Sequence, residues 1–256
     1  MEAAARKLLN ERMELLADAV ALEKEPKRVP VVPFICSVAQ KMFGSSYKDL
    51  YYDYDRAGQA AVDFYTKYPV DASCGARFTS GKAQEIGGIN IIDWPGQPGT
   101  KISDYSSHQV HEIEYLSPEE CYGALISDFD GFYLRHYIPR VFDNLKELEN
   151  LKFAPATVLS TGGGLGGLLK TDFFNMVDKL KAIVEADAEA AAKSAEWSGK
   201  IEALGIPKLF TGGGQVRMDG FTHNLDAAAK VEEYLEAIPP MDNTVEKFNV
   251  SGGIRG

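Results

Sequence analysis

Apolar residues recur at three- and four-residue spacings over residues 2–23, where Leu8, Leu9, Met13, Leu16 and Val20 share one face. The stretch reads as an amphipathic helix that packs this face on a core and ends at Pro26. After Lys27 and Arg28 the pattern changes to a β-branched run, Val29-Pro30-Val31-Val32-Pro33-Phe34-Ile35, which fits a buried strand whose two prolines confine it to a sheet boundary. Asp53 or Asp55 can cap a helix through Ala60, Ala61, Phe64 and Tyr65, and Pro69 closes it before a second short run, Val70 to Cys74. Strand, helix and strand in that order make a right-handed crossover with parallel neighbours. Gly87 to Asp93 is a third apolar run, and Pro95 to Gly99 a loop.

Further on, Ser117 is a good N-cap, Pro118 fits a first helical turn, and Glu119 and Glu120 favour the positive end of a helix. Asp128 and Asp130 offer a second cap for a helix carrying Phe132, Leu134, Tyr137 and Ile138 towards Pro139. Residues 156–160 read as a strand, and a long helix with an Ala-rich middle is expected from about Thr171 to Leu204. Gly205 is its C-cap, Ile206 to Phe210 the next strand, and a last helix covers about Asp226 to Ala237.

Size and charge narrow what such a chain can be. The 256 residues, 45% of them hydrophobic, suffice for one large core, and single α/β barrels of about 250 residues are common. One domain over residues 1–256 is therefore expected, with residues 94–150 as a helical excursion from it. A net charge of -10 disfavours nucleic acid or an anionic membrane as the main partner. Cys36, Cys74 and Cys121 form no Cys-x-x-Cys pair, and their odd number argues against a disulfide framework. The first residues lack an apolar secretory core, and no stretch approaches the roughly 18 apolar residues of a membrane span, so a cytoplasmic location is expected.

Two motifs have ordinary explanations. Gly162 to Gly167 satisfies a dinucleotide-binding glycine pattern, but five glycines in six positions match almost any such pattern, and Glu185 and Asp187 fall inside a helix instead of ending a strand. His108 and His111 are three apart in sequence that reads as extended, which sends their rings to opposite faces; His136 and His223 have no partners at ligand spacing. No metal site is expected from the histidines and cysteines present.

The stretch from Trp94 to Arg140 carries a resemblance. Trp94-Pro95-Gly96, Gln109, Glu112 and Glu114, Glu119-Glu120-Cys121-Tyr122, Asp128 and Pro139-Arg140 occur in the order found in the uroporphyrinogen decarboxylase superfamily, more closely in its methyltransferase-like and uncharacterised members. The helix, arginine, Val-Pro and strand at the start, and the Leu-Gly-Ile-Pro before the last strand, resemble that superfamily too. Two features depart from it. Cys121 displaces the usual tyrosine by one place, and Met218-Asp219-Gly220-Phe221 stands where a Pro-Phe-Asp segment is usual.

The resemblance implies a (β/α)8 TIM-type barrel, of which this chain supplies fewer units than the eight that closure needs. It also implies that the chain is an N-terminal portion, to be completed by a second chain or another copy. In a parallel barrel the chemistry sits at the C-terminal ends of the strands, which puts Phe34, Ile35, Cys36, Asp71, Ser73 and Cys74 around one mouth. Phe34, Cys36, Ser73 and Cys74 are the expected substrate contacts. Asp71 is the expected catalytic residue, because the decarboxylases place an essential aspartate at the end of the second strand. The plainer alternative for Asp71 is a loop cap bonding its own backbone. Buried beside apolar walls, it needs a cation such as Arg77 to offset desolvation.

Methyltransferase-like members move a methyl group between a small methylated compound, a corrinoid and an acceptor. The resemblance thus implies a corrinoid, as substrate or held by a partner corrinoid protein, and in some members zinc, for which this chain has no ligand set. The alternatives are a noncatalytic half-barrel subunit and a true decarboxylase. The decarboxylases bind a many-carboxylate substrate through an arginine-rich segment after the first strand, whereas this chain has only Lys41 and Lys48 between Val29 and Asp55. Substrate carboxylates would be left unpaired there, at high desolvation cost. Incubated with uroporphyrinogen, the chain is therefore expected to yield no coproporphyrinogen on chromatography; appearance of that product would overturn the reading.

Overall fold

A computed structural model describes residues 2–22, 24–33, 35, 37–112, 115–120, 123–124, 127–150 and 172–209. The chain divides into two compact units. The first is built from Met1–Glu85, Ile92–Gln109 and Ala182–Phe210, and the described residues of the second fall within Ile86–Ile91 and Val110–Lys181. Most of the excursion expected within a single domain thus belongs to the second unit.

The helices in chain order are α1 (Ala3–Ala21), α2 (Val38–Met42), α3 (Asp49–Tyr52), α4 (Tyr54–Lys67), α5 (Gly81–Gly87), α6 (Pro118–Glu120), α7 (Phe129–Phe132), α8 (Ile138–Val141) and α9 (Phe173–Glu202). A π-helical turn, Tyr133–Tyr137, joins α7 to α8, and a 3-10 segment, Asp143–Asn150, follows α8. Among the described residues the only sheet has two strands, β1 (Ile92–Asp93) and β2 (Gln109–Val110). The described fold is thus mostly helical, and its α/β character is slight.

Residues 29–35, 70–74 and 206–210 were expected as parallel strands, but their described residues form no strand. Asp71 N–H donates to Val31 O at 2.8 Å, Ser73 N–H to Pro207 O at 2.9 Å and Leu209 N–H to Ser73 O at 2.9 Å, with a parallel bridge between Ser73 and Lys208. Pro30, Pro33 and Pro207 bring no N–H to a ladder, so the pairing stays at single rungs. The other expected strand, residues 156–160, lies outside the described residues, as do the glycine runs 162–167 and 212–214 and the helix expected at 226–237.

Local chemistry sets the helix ends. Asp53 caps α4 by accepting from Arg56 N–H, and Gly205, with φ +78°, follows the C-terminus of α9. The core of the first unit joins Ala61, Phe64 and Tyr65 of α4 to Trp197 and Ile201 of α9, with Val70, Ala76 and Ile206 from the extended segments. Two hydroxyls of α9, four residues apart and so on one face, reach the chain beyond Gly75. Ser198 Oγ accepts from Ala76 N–H at 2.9 Å and Ser194 Oγ from Phe78 N–H at 3.0 Å.

The expected inner face of α1 is largely outside. Leu15 and Leu16 are its buried residues, while Leu8 is 43% and Val20 77% exposed. The helix docks instead by close approach to Gly205, where a Cβ would stand 2.9 Å from that of Leu8, and by a 2.6 Å bond from Arg12 Nη1 to Gly205 O. An apolar stripe marks which residues could be buried, and here a backbone contact sets the rotation of the helix.

The α4–α9 contact depends on Gly58, since a Cβ there would overlap the five-membered ring of the Trp197 indole. That ring cannot easily yield: its Nε1–H donates to Asp55 Oδ1 at 3.1 Å, and Lys200 Nζ lies 3.4 Å from its centre. Gly58→Ala gains about 1 kcal/mol of helix propensity but overpacks the contact at a cost of about 1–3 kcal/mol, occasionally more. A lower urea midpoint with a change in tryptophan fluorescence is expected, and an unchanged midpoint would contradict this packing.

Candidate functional site

Asp71 is 2% exposed, and its partner is Arg28. Arg28 Nη1 donates to Oδ2 and Nη2 to Oδ1, each at 2.5 Å, and Val31 N–H donates to Oδ2 at 2.7 Å. The Arg28 guanidinium holds the Asp71 carboxyl below its usual range, against burial, which acts to raise it; the Val31 N–H adds to the lowering. Arg77, the partner expected from sequence, is not used. Arg28 and Asp71 each stand at the start of an extended segment, and the Asp71–Val31 backbone bond sets those starts side by side. That shared position is the sequence signal that could have found the pair.

Around this pair lies an open cleft of about 410 Å³, lined by Leu8, Glu11, Arg12, Arg28, Pro69, Val70 and Asp71. Asp71 therefore does border a cleft, with both oxygens engaged. The arrangement suits fixing the first segment better than moving a proton, for which a carboxylate needs a pKa near the working pH.

Two residues on, the second segment brings together a different set. Ser73 and Cys74 are buried, and Ser73 Oγ accepts from Gly75 N–H at 3.2 Å. Tyr65 lies beside Cys74, its hydroxyl pushed up to about 12 by burial. Lys208 bridges Ser73 in parallel and rests its stem against Gly75. Phe34 and Cys36 lie outside the described residues, so of the expected substrate contacts the structure brings together Ser73 and Cys74.

The motif residues of residues 94–140 have structural tasks within each unit. In the first, Trp94 Nε1–H donates to Tyr52 Oη at 3.0 Å, and Tyr52 in turn donates to Glu85 Oε1 at 2.6 Å. Burial raises the Tyr52 phenol, and Glu85 adds to this. A Cβ on Gly96 would come within 2.8 Å of Lys48 and Tyr52 side-chain atoms, so the last residue of Trp-Pro-Gly has no room for a side chain. In the second unit, Ser117 and Glu120 form a reciprocal capping box, Ser117 N–H to Glu120 Oε2 at 3.0 Å and Glu120 N–H to Ser117 Oγ at 3.3 Å. Arg140 then grips Glu120 with two bonds of 2.9 and 2.6 Å and holds its carboxyl down to about 2. The acidic helix and the closing Pro-Arg are thus two halves of one ion pair.

Among the described residues no three His, Cys, Asp or Glu side chains converge as metal ligands. His111 Nδ1 lies 2.7 Å from Asn90 O, and His136 packs on the Phe132 ring. No described helix is long and apolar enough to cross a membrane. Comparison with family models, with curated proteins and with solved structures gives no match.

Breaking the pair at Asp71 tests its role. Arg28 is about half exposed and can regain water, so Asp71→Asn is expected to cost less than the 3–5 kcal/mol of a fully buried pair, about 1–3 kcal/mol at neutral pH. Because the folded pKa is depressed, this contribution is present above the unfolded aspartate value near 4 and is lost as pH falls through the lower folded value. The gap in denaturant midpoint between parent and variant should therefore narrow below about pH 4. A constant gap would show that the charge is not what stabilises.

Proposed function

We propose that this chain is a methyltransferase-like member of the uroporphyrinogen decarboxylase superfamily. It contributes strands to a (β/α)8 barrel and moves a methyl group between a small methylated compound, a corrinoid presented by a partner protein, and an acceptor. The observation that carries this reading is that Asp71 N–H is tied back to Val31 O of the first segment across helices α2 to α4, with the same second segment also forming a parallel bridge, Ser73 with Lys208, to the segment that follows α9. Helix-linked parallel neighbours are the repeating unit of such a barrel. The ordered motifs between Trp94 and Arg140 add to it.

On this reading substrate contacts come from Phe34, Cys36, Ser73 and Cys74, at the ends of the first two segments, where α/β folds place chemistry. Asp71 is a positioning residue that holds Arg28 and the start of the first segment, and the substrate lies beyond Ser73. The described clefts of about 410 and 260 Å³ at α1 are lined largely by charged groups, so a corrinoid enters as a substrate carried by its own protein and not as a resident group. Zinc has no ligand set among the described residues, and no step is routed through it.

A second reading, a half-barrel subunit that needs another chain, is favoured by Val29 and Val31, which are 81% and 50% exposed at the first segment. One preparation separates the two. The purified chain, given methylcobalamin and an acceptor thiol, is expected to demethylate the corrinoid, seen as the change in its visible spectrum. Its native mass by light scattering is read on the same sample. No demethylation by a particle of one chain, with activity gained on adding a second chain, would favour the subunit reading; no demethylation under either condition would overturn methyl transfer.

A further inference from the structure

The cleft of about 410 Å³ beside α1 combines two kinds of lining, apolar from Leu8, Pro69 and Val70 and charged from Arg12, Arg28 and Asp71. The charges do not cancel. Asp71, 2% exposed, is matched by Arg28 through bonds from Nη1 and Nη2. Beyond the Arg28 bond, which does most, the Arg12 charge also helps hold the Asp71 carboxyl below its usual range, which puts Arg12 within electrostatic reach of the pair. The bond that Arg12 itself makes, from Nη1 at 2.6 Å, goes to the neutral carbonyl of Gly205. Two guanidiniums about one carboxylate leave one positive charge. Glu11 also lines the cleft, but Lys7 stands 3.8 Å from it and answers its charge.

A guanidinium offers five N–H groups in a planar fork. Asp71 and Val29 O take three of those on Arg28, and the Nε–H with the second Nη2–H make an edge that suits the two oxygens of another carboxylate. Both arginines are held before a ligand arrives, Arg28 by Asp71 and Arg12 by Gly205, so binding costs them little side-chain freedom. We propose that this cleft binds a small carboxylic acid with a short apolar chain, the carboxylate on Arg12 and Arg28 and the chain against Leu8, Pro69 and Val70. The site is distinct from the substrate contacts at Ser73 and Cys74 and does not rest on methyl transfer. Leu8 and Arg12 belong to α1, whereas Arg28 leads into the first segment, so the ligand joins the two. That tie matters for a helix whose buried residues are Leu15 and Leu16.

The test titrates the full chain calorimetrically with butyrate, acetate and butylamine. Saturable binding of butyrate is expected, roughly tenfold tighter than acetate because two more methylenes leave water, with none of butylamine. Arg12→Gln keeps a donor for Gly205 O but removes the charge, and should weaken butyrate by roughly tenfold or more. Leu8→Ser keeps the Cβ that meets Gly205 and should bring butyrate down towards acetate. Melting curves establish that each variant folds, and butyrate should slow hydrogen exchange of the α1 amides in the parent. No saturable butyrate binding, equal binding by parent and Arg12→Gln, equal binding of butyrate and butylamine, or α1 exchange unchanged at saturation would each overturn the site.

Discussion

A backbone N–H removed from water needs an acceptor, and a fold with almost no sheet must find acceptors elsewhere. In the first unit several of them are side-chain oxygens. Val31 N–H goes to Asp71, Ala76 and Phe78 to the serines of α9, Ser46 to Asp49, and Ala83 to Ser80. The first three bonds do for a short extended segment what a neighbouring strand does in a sheet, the last two hold the starts of short helices, and each needs a particular residue type at a particular place. A ladder tolerates most side chains because its bonds are all backbone; this arrangement does not. The buried polar residues Asp49, Asp71 and Ser198 are therefore part of the framework.

Helices were legible in the sequence where their ends carry chemistry. α4 begins after Asp53, α9 runs within the expected span and stops before Gly205, and the Ser117–Glu120 box was visible as a spacing. Propensity and capping are local, so a linear reading finds them. What needed two distant segments was not legible. The outward turn of the α1 stripe follows from its contact with Gly205, and the bond between Arg140 and Glu120 spans twenty positions. The extended segments read as strands because their residues are β-branched, yet proline removes the donors that would make them so.

The same division holds at the candidate site. Ser73 bridges Lys208, while Asp71, two residues earlier, is bonded to Arg28 in a cleft lined by residues of α1. Two residues of extended chain span about 6.6 Å, enough to separate one end of a short segment from the other. An aspartate at the edge of a strand can be assigned to either end from sequence alone. The arginine that neutralises it decides, and that arginine lies 43 positions away.

The two serine bonds from α9 also set a length. Four helical residues advance about 6.0 Å and turn some forty degrees beyond a full circle, while two extended residues advance about 6.6 Å. The two scales work as a vernier: they agree at one pair of marks, still match at the next, and then drift apart in both height and direction. A third rung would find its hydroxyl too low and rotated away. The chain leaves the helix at that point, Thr79 N–H turning to Leu50 O and Ser80 Oγ accepting from Ala83 N–H at the start of α5. A helix can thus measure out a short stretch of extended chain and release it, with no turn sequence to mark the end.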